Sequence, residues 1–309
     1  METQFLKMSD GQNIALHSWL PNCSKEKIKK IIIISHGMAE SATRYSDFAE
    51  YLNKKGYAVF AHDHRGHGET AGTVENLGFL AEENGFKRVV ADLVGIVDYV
   101  TDSFPARKII LLGHSFGSFI AQSYIEYFGN DINACILSGT AGPRFGLGSL
   151  LKGIASVMCL IFGKKSKGRF LTLLTIGPYN NKIPKKEKTP TSWLSRDAQY
   201  LNKSYNGPYY GFICTNAFFK DLGTGLSIIH KKKNLKKIPK KLPILFITGT
   251  QDPVGSYTKT VKKLANIYRK IGIKNITEIY YDGARHEPIN EINRAEVYED
   301  IFNWIEQRT

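Results

Sequence analysis

Gly113-His114-Ser115-Phe116-Gly117 sets a serine between two glycines, directly after the apolar run Lys108 to Leu112 and at the start of a helix-like stretch. A serine on such a strained strand-to-helix turn is a nucleophile held out for attack, and the flanking glycines remove side chains the turn has no room for. Its hydroxyl needs a base, and the base needs an orienting acid. Asp252, in Gly249-Thr250-Gln251-Asp252-Pro253, follows the apolar run Pro243 to Thr248, and His286 follows the run Ile276 to Tyr281. Ser115, Asp252 and His286 are therefore the expected nucleophile, acid and base. Asp282, four residues before His286, is a rival acid that a side chain at its own strand end would make less effective. The developing oxyanion needs two backbone N–H donors: Phe116, after the nucleophile, and Met38, in the loop His36-Gly37-Met38-Ala39-Glu40 after the run Lys30 to Ser35.

A second cluster invites a different chemistry. His62-Asp63-His64-Arg65-Gly66-His67 approaches a His-x-His-x-Asp-His metal signature, but Gly66 stands where the aspartate should be. A structural turn is the expectation, with no metal and no organic cofactor. Four cysteines, Cys23, Cys135, Cys159 and Cys214, show no paired spacing and read as reduced.

The positioning elements follow from hydropathy. Short, nearly continuous Ile/Val/Leu runs at Lys30–Ser35, Tyr57–His62, Lys108–Leu112, Ile132–Leu137, Pro243–Thr248 and Ile276–Tyr281 read as strands buried on both faces. Amphipathic stretches alternate with them: Arg44–Lys55, Arg88–Asp102, Phe116–Phe128, Tyr257–Ile271 and Arg294–Gln307. Strand–helix alternation predicts a mostly parallel, doubly wound sheet with helices on both faces. Gln4 to Trp19, broken at Ser9-Asp10-Gly11, predicts an antiparallel hairpin on one edge.

The alternation stops between residues 143 and 241, which predicts a core of 1–142 and 242–309 with a mainly helical cap inserted at the ligand-binding end of the sheet. That segment carries 20 Lys and Arg against 3 Asp and Glu, a net +17 in a chain of net +14, so the remainder is slightly acidic. Such asymmetry implies an anionic neighbour. Leu147 to Gly163 is apolar and followed by Lys164-Lys165-Ser166-Lys167-Gly168-Arg169, a pattern suited to peripheral contact with an anionic membrane or to a lid packed on the core with a solvated basic face. The basic runs lack interleaved aromatics, so no nucleic acid is expected. Met1 to Asp10 has no signal-peptide pattern, which favours the cytoplasm.

Taken together, His36-Gly37 with Glu40 and Arg44-Tyr45, Asp63-His64-Arg65-Gly66-His67-Gly68, Gly113 to Gly117, Asp252-Pro253 and His286-Glu287 with Asn290-Glu291 resemble the monoacylglycerol lipase and lysophospholipase-like branch of the α/β-hydrolases, a serine aminopeptidase S33-type family. Trp193 to Asp197 and Pro208 to Phe212 resemble the cap of its bacterial members. The resemblance implies an eight-stranded α/β-hydrolase fold, whose chain order is Ser, Asp, His, and an acyl-enzyme mechanism on a single-chain lipid ester. It implies the same triad and the same donors, Met38 and Phe116. One departure is Ala39, often glycine in the family; a positive φ there would strain alanine. A serine aminopeptidase on the same fold and a non-catalytic binder are the alternatives, the first disfavoured by the few acidic residues in the cap segment.

Overall fold

The computed structural model describes residues 1–205 and 207–309. Eight strands form one sheet: β1 (Glu2–Lys7), β2 (Asn13–Trp19), β3 (Lys30–Ser35), β4 (Ala58–His62), β5 (Lys108–His114), β6 (Ala134–Ser138), β7 (Ile244–Gly249) and β8 (Ile276–Tyr281). Their spatial order is β1-β2-β4-β3-β5-β6-β7-β8. The hairpin pairs Glu2 with Ser18 through Lys7 with Asn13, and β2 runs antiparallel to β4; every other pair is parallel. This is the α/β-hydrolase fold.

Strand periodicity sorts the isoleucines of β3 onto two faces. Ile31 and Ile33 belong to the core on the face covered by α2 (Gly85–Ser103), α3 (Phe116–Phe128) and α9 (Lys259–Lys270). Ile32 and Ile34 pack with α1 (Ser46–Lys54) and α10 (Arg294–Arg308). Both faces are covered, so the central strands can be apolar throughout. β8 departs from that expectation: it lies at the sheet edge and is only half-buried along most of its length.

Two helix starts differ from the sequence pattern. The stretch beginning at Arg44 opens as a 3-10 turn, Ala42–Tyr45, before α1, which leaves Arg44 off the helix and directed to other partners. The stretch beginning at Tyr257 becomes helical only at Lys259, because Ser256, Tyr257 and Thr258 all hold positive φ.

Between β6 and β7 the chain forms α4 (Leu147–Phe162), α5 (Arg169–Thr175), α6 (Ala198–Ser204), α7 (Asn216–Ile228) and the single turn α8 (Lys232–Leu235). Capping side chains start two of them: Asp197 accepts from the Tyr200 N–H at 2.9 Å, and Thr215 from the Phe218 N–H at 3.3 Å. Thr215 also donates to the Gly78 carbonyl at 2.6 Å, tying α7 to the core. The Phe218 ring meets Phe116 at 4.9 Å, so α7 packs directly over the start of α3. Among the described residues no helix is long and apolar enough to cross a membrane.

Candidate active site

Ser115 lies between β5 and α3 with φ +51° and ψ −116°, a conformation an L-residue holds only under constraint. The glycines beside it are required by close approach. A Cβ on Gly117 would lie 2.0 Å from the Ser35 carbonyl oxygen, and one on Gly113 2.6 Å from that of Gly117. The Ser115 N–H donates to the Ser138 carbonyl at 3.0 Å, and Ser118 Oγ donates to the Ser115 carbonyl at 2.6 Å, which locks the turn.

His286 Nε2 lies 2.8 Å from Ser115 Oγ, and its Nδ1 lies 3.0 Å from Asp252 Oδ1. Asp252 is fully buried, and its remaining lone pairs accept from the Val254 N–H at 2.8 Å and from Thr248 Oγ1 at 3.1 Å. That carboxylate can only hold the Nδ1 proton, so Nε2 is the lone pair facing the serine. Burial alone would lower the His286 pKa, but the Asp252 charge and hydrogen bond outweigh it and raise the imidazole above its ordinary value. Asp282, the rival acid, accepts instead from Thr250 Oγ1 at 3.1 Å on the surface.

Met38 and Phe116 both border the space at Ser115, and neither backbone N–H has a protein acceptor among the described residues. The departure at Ala39 has a structural consequence: its φ is +57°, in the left-handed region where alanine is strained. The Ala39 carbonyl accepts from the Gly211 N–H at 2.9 Å, a bond from the insertion that helps hold the loop.

The same loop carries a network to which the sequence pattern assigned no role. Glu40 accepts from the Gly37 N–H, from Tyr45 Oη at 3.0 Å and from Arg44 Nη1 at 2.5 Å. Arg44 also forks onto Glu287, with Nη1 at 2.9 Å and Nη2 at 2.6 Å. All three charges are buried. Burial pushes the Glu40 carboxyl up, whereas the Arg44 fork overcomes burial at Glu287 and holds it down to about 2. The spacing of Glu40 and Arg44 by four was the available signal; Glu287 could be added only by the fold, since 243 positions separate it from Arg44.

The histidine-rich turn packs ring against ring. His36 donates from Nδ1 to the Gly37 carbonyl at 2.7 Å and accepts the His64 N–H at Nε2 at 3.0 Å; His64 Nε2 returns a bond to the His36 carbonyl at 3.0 Å. The rings of His36, His64 and His67 each reach a backbone carbonyl, and the His36–His64 bonds brace the loop after β3. Neither ring nitrogen of His62 has a partner among the described residues. Among the described residues no group of three or more side chains is arranged to hold a metal ion.

Two cavities meet at Ser115. One, of about 250 Å³, is walled mostly by apolar residues such as Leu194, Phe212 and Ile213, with Glu40, Arg44, Thr191, His286 and Glu287 set among them. The other, of about 370 Å³, is walled mainly by apolar residues such as Phe119, Leu147, Leu151, Ile154, Leu174 and Leu226. Met38, Ile176, Trp193 and Phe219 border both.

Comparison with known proteins agrees with this architecture. The chain is 35% identical over 306 residues to the monoglyceride lipase of Mus musculus, covering 97% of this chain and 89% of that one. It is 26% identical over 303 residues to the monoacylglycerol lipase of Mycolicibacterium smegmatis, covering 96% and 93%. A thermostable carboxyl esterase from Bacillus coagulans, solved in complex with glycerol, superposes with a TM-score of 0.89 at 28% identity, covering 99% and 98% of the two chains. Residues 26–293 match the family described as serine aminopeptidase, S33, and the chain belongs to that family of α/β-hydrolases.

Proposed function

We propose that this protein is a serine carboxylic ester hydrolase that cleaves single-chain acylglycerols. The carrying observation is the meeting of two cavities at one hydrogen-bonded serine: an apolar arm suited to an acyl chain, and a smaller arm, also walled mostly by apolar residues but bearing Glu40, Arg44 and Glu287 and called the polar arm for those groups, suited to the alcohol. His286 takes the Ser115 proton while Asp252 holds the imidazole, and the serine oxygen attacks the ester carbonyl. The oxyanion is received by the Met38 and Phe116 N–H groups at the start of α3. Collapse expels the alcohol, protonated by His286, and leaves an acyl-enzyme. Water, deprotonated by His286, then releases the acid.

The polar arm favours a neutral polyol over a phosphate-bearing head group. Its one guanidinium, Arg44, is already bound by two carboxylates, His286 is bonded to Asp252, and His114 is pushed down to about 3 by burial, so among the described residues an anionic head group would meet no unengaged cation there. The same occupancy argues against an aminopeptidase, whose substrate amine needs unengaged carboxylates. The named relatives, a monoglyceride lipase and a monoacylglycerol lipase, support the acylglycerol reading.

The segment 143–241 acts in this reading as the cap that forms the acyl arm. Its outer face exposes Phe145, Leu150, Leu160, Ile161, Phe162, Phe170 and Leu173, with Lys164, Lys165 and Arg169 beside them. Leu150 borders the apolar arm itself, so docking of this face on an anionic bilayer would bring lipid to the cavity mouth. Co-sedimentation with vesicles is expected to rise with anionic lipid and fall with salt; binding indifferent to both would remove the docking idea.

The deciding experiment is turnover of monoacylglycerols, lysophospholipids and aryl esters of graded chain length. Monoacylglycerols are expected to be preferred, with Ser115→Ala inactive and unlabelled by a fluorophosphonate. A folded wild-type protein that takes no label would be a binder instead, and preference for lysophospholipids would overturn the reading of the polar arm.

A further inference from the structure

The catalytic base is covered by a side chain that the sheet core does not supply. Trp193, from the β6–β7 insertion, lies with its ring centroid 5.0 Å from that of His286 and the two planes tilted by 32°. The backbone follows the ring: the His286 N–H donates to the Trp193 carbonyl at 3.3 Å and the Glu287 N–H to that of Leu194 at 2.8 Å. Arg285 fastens the same segment, donating to the Ser192 carbonyl at 2.8 Å, to the Ser195 carbonyl at 3.2 Å and to Glu187 at 2.7 Å. Trp193 is held from its other side by its N–H bond to Asn180 Oδ1 at 3.0 Å and by the Tyr179 ring at 4.9 Å. Most of these restraints act on the backbone, and with the Tyr179 ring they fix where the indole lies against His286.

An aromatic face attracts a cation within about 6 Å, and most strongly where water is excluded. His286, which is 1% exposed, becomes a cation each time it takes the serine proton. We propose that Trp193 is a positioning residue for the base: its indole face stabilises the His286 imidazolium, and its backbone sets where Nε2 points. The insertion thus completes the proton-transfer machinery as well as the pocket. The inference rests on the reading of His286 as base.

The titratable and charged groups facing His286 are Asp252 after β7, Glu40 and Arg44 after β3, His114 at the end of β5, and its own neighbours Arg285 and Glu287. The insertion adds Tyr205 in the same cavity, Tyr179 stacked on Trp193 and Glu187 bonded to Arg285, while its aromatic contact to the imidazole ring is the neutral indole. Loss of that ring therefore destabilises the protonated imidazole more than the neutral one.

The test is the pH profile of kcat/KM on p-nitrophenyl acetate, a substrate too short to fill the acyl arm. In Trp193→Leu the acid limb is expected to move down by about half a pH unit. Trp193→Phe, which keeps an aromatic face, is expected to fall between that variant and wild type. Biosynthetic fluorotryptophan drains the ring of π density at nearly unchanged shape, so it tests the idea even where the leucine variant does not fold. The chain has three tryptophans, and fluorination is expected to lower the limb in wild type and to leave it unmoved in Trp193→Phe, where only Trp19 and Trp304 remain. A limb that stays in place on fluorination, or a phenylalanine variant no closer to wild type than the leucine one, would overturn the proposal. His286→Ala separates the two readings: hydrolysis surviving in it sinks the base itself, whereas hydrolysis lost in it with an unmoved limb in the tryptophan variants sinks Trp193 alone.

Discussion

Ser115 stands out at the level of single residues because its constraints are steric: two glycines with no space for a Cβ and a φ of +51° leave the hydroxyl no choice of direction. Asp252 and Asp282 are chemically alike and both follow strands, but Asp252 is fully buried and bonded to His286, whereas Asp282 is exposed and bonded to Thr250. Glu126 is a residue the catalytic reading does not use. It lies in α3, 1% exposed, with neither carboxylate oxygen partnered among the described residues, and burial pushes it up to about 9. The folded state therefore keeps a proton there that the unfolded state releases above its ordinary value near 4.5. That contribution to stability is complete below the unfolded pKa and is lost as pH rises towards 9. Glu126→Gln is expected to match wild type in melting temperature at pH 5 and to exceed it increasingly from pH 6 to pH 9. A constant difference across that range would contradict the assignment.

The 3-10 turn before α1 and the loop after β8 are where elements matter more than residues. The turn leaves Arg44 free to join the loop after β3, through Glu40, to the loop after β8, through Glu287. Breaking a buried ion pair from one side costs about 3–5 kcal/mol, because the partner charge is left unpaired. Arg44→Met leaves two carboxylates facing one another and is expected to lose that much stability by chemical denaturation. Adding Glu287→Gln is expected to restore part of it, which would not happen if Arg44 acted only through packing. The insertion meets this network as well, since Tyr200 and Tyr205 lie 5.5 and 5.6 Å from the Arg44 guanidinium.

Across the whole molecule, the histidines make acid the weak side of stability. His62 and His67 are fully buried and pushed down to about 4, with His36 and His64 lowered further by burial and by one another. Each is neutral in the folded state while its unfolded counterpart takes a proton below about 6.5. Their contribution is therefore complete above the unfolded pKa and is lost as pH falls from there towards 4. Glu287, held at about 2, extends the loss between its unfolded value and that pH. Calorimetry is expected to show a melting temperature that falls steeply from pH 6.5 to pH 4; a flat profile would mean that the rings are solvated before global unfolding.

Local rules made much of this protein readable before folding. Strand and helix alternation, the glycine-flanked serine and the placement of Asp252 and His286 after successive strands follow from short-range sterics and from hydrophobic periodicity, which the chain carries residue by residue. The strand limits were legible for the same reason, β3 and β8 to the residue, while the start of α9 was not, because three consecutive positive φ values precede it and no propensity announces them. The choice between Asp252 and Asp282 needed side-chain direction. The partnership of Arg44 with Glu287, the φ of Ala39 and the indole over His286 needed contacts between segments tens to hundreds of residues apart. Such contacts have no sequence period, so they are decided where packing brings the segments together and nowhere earlier.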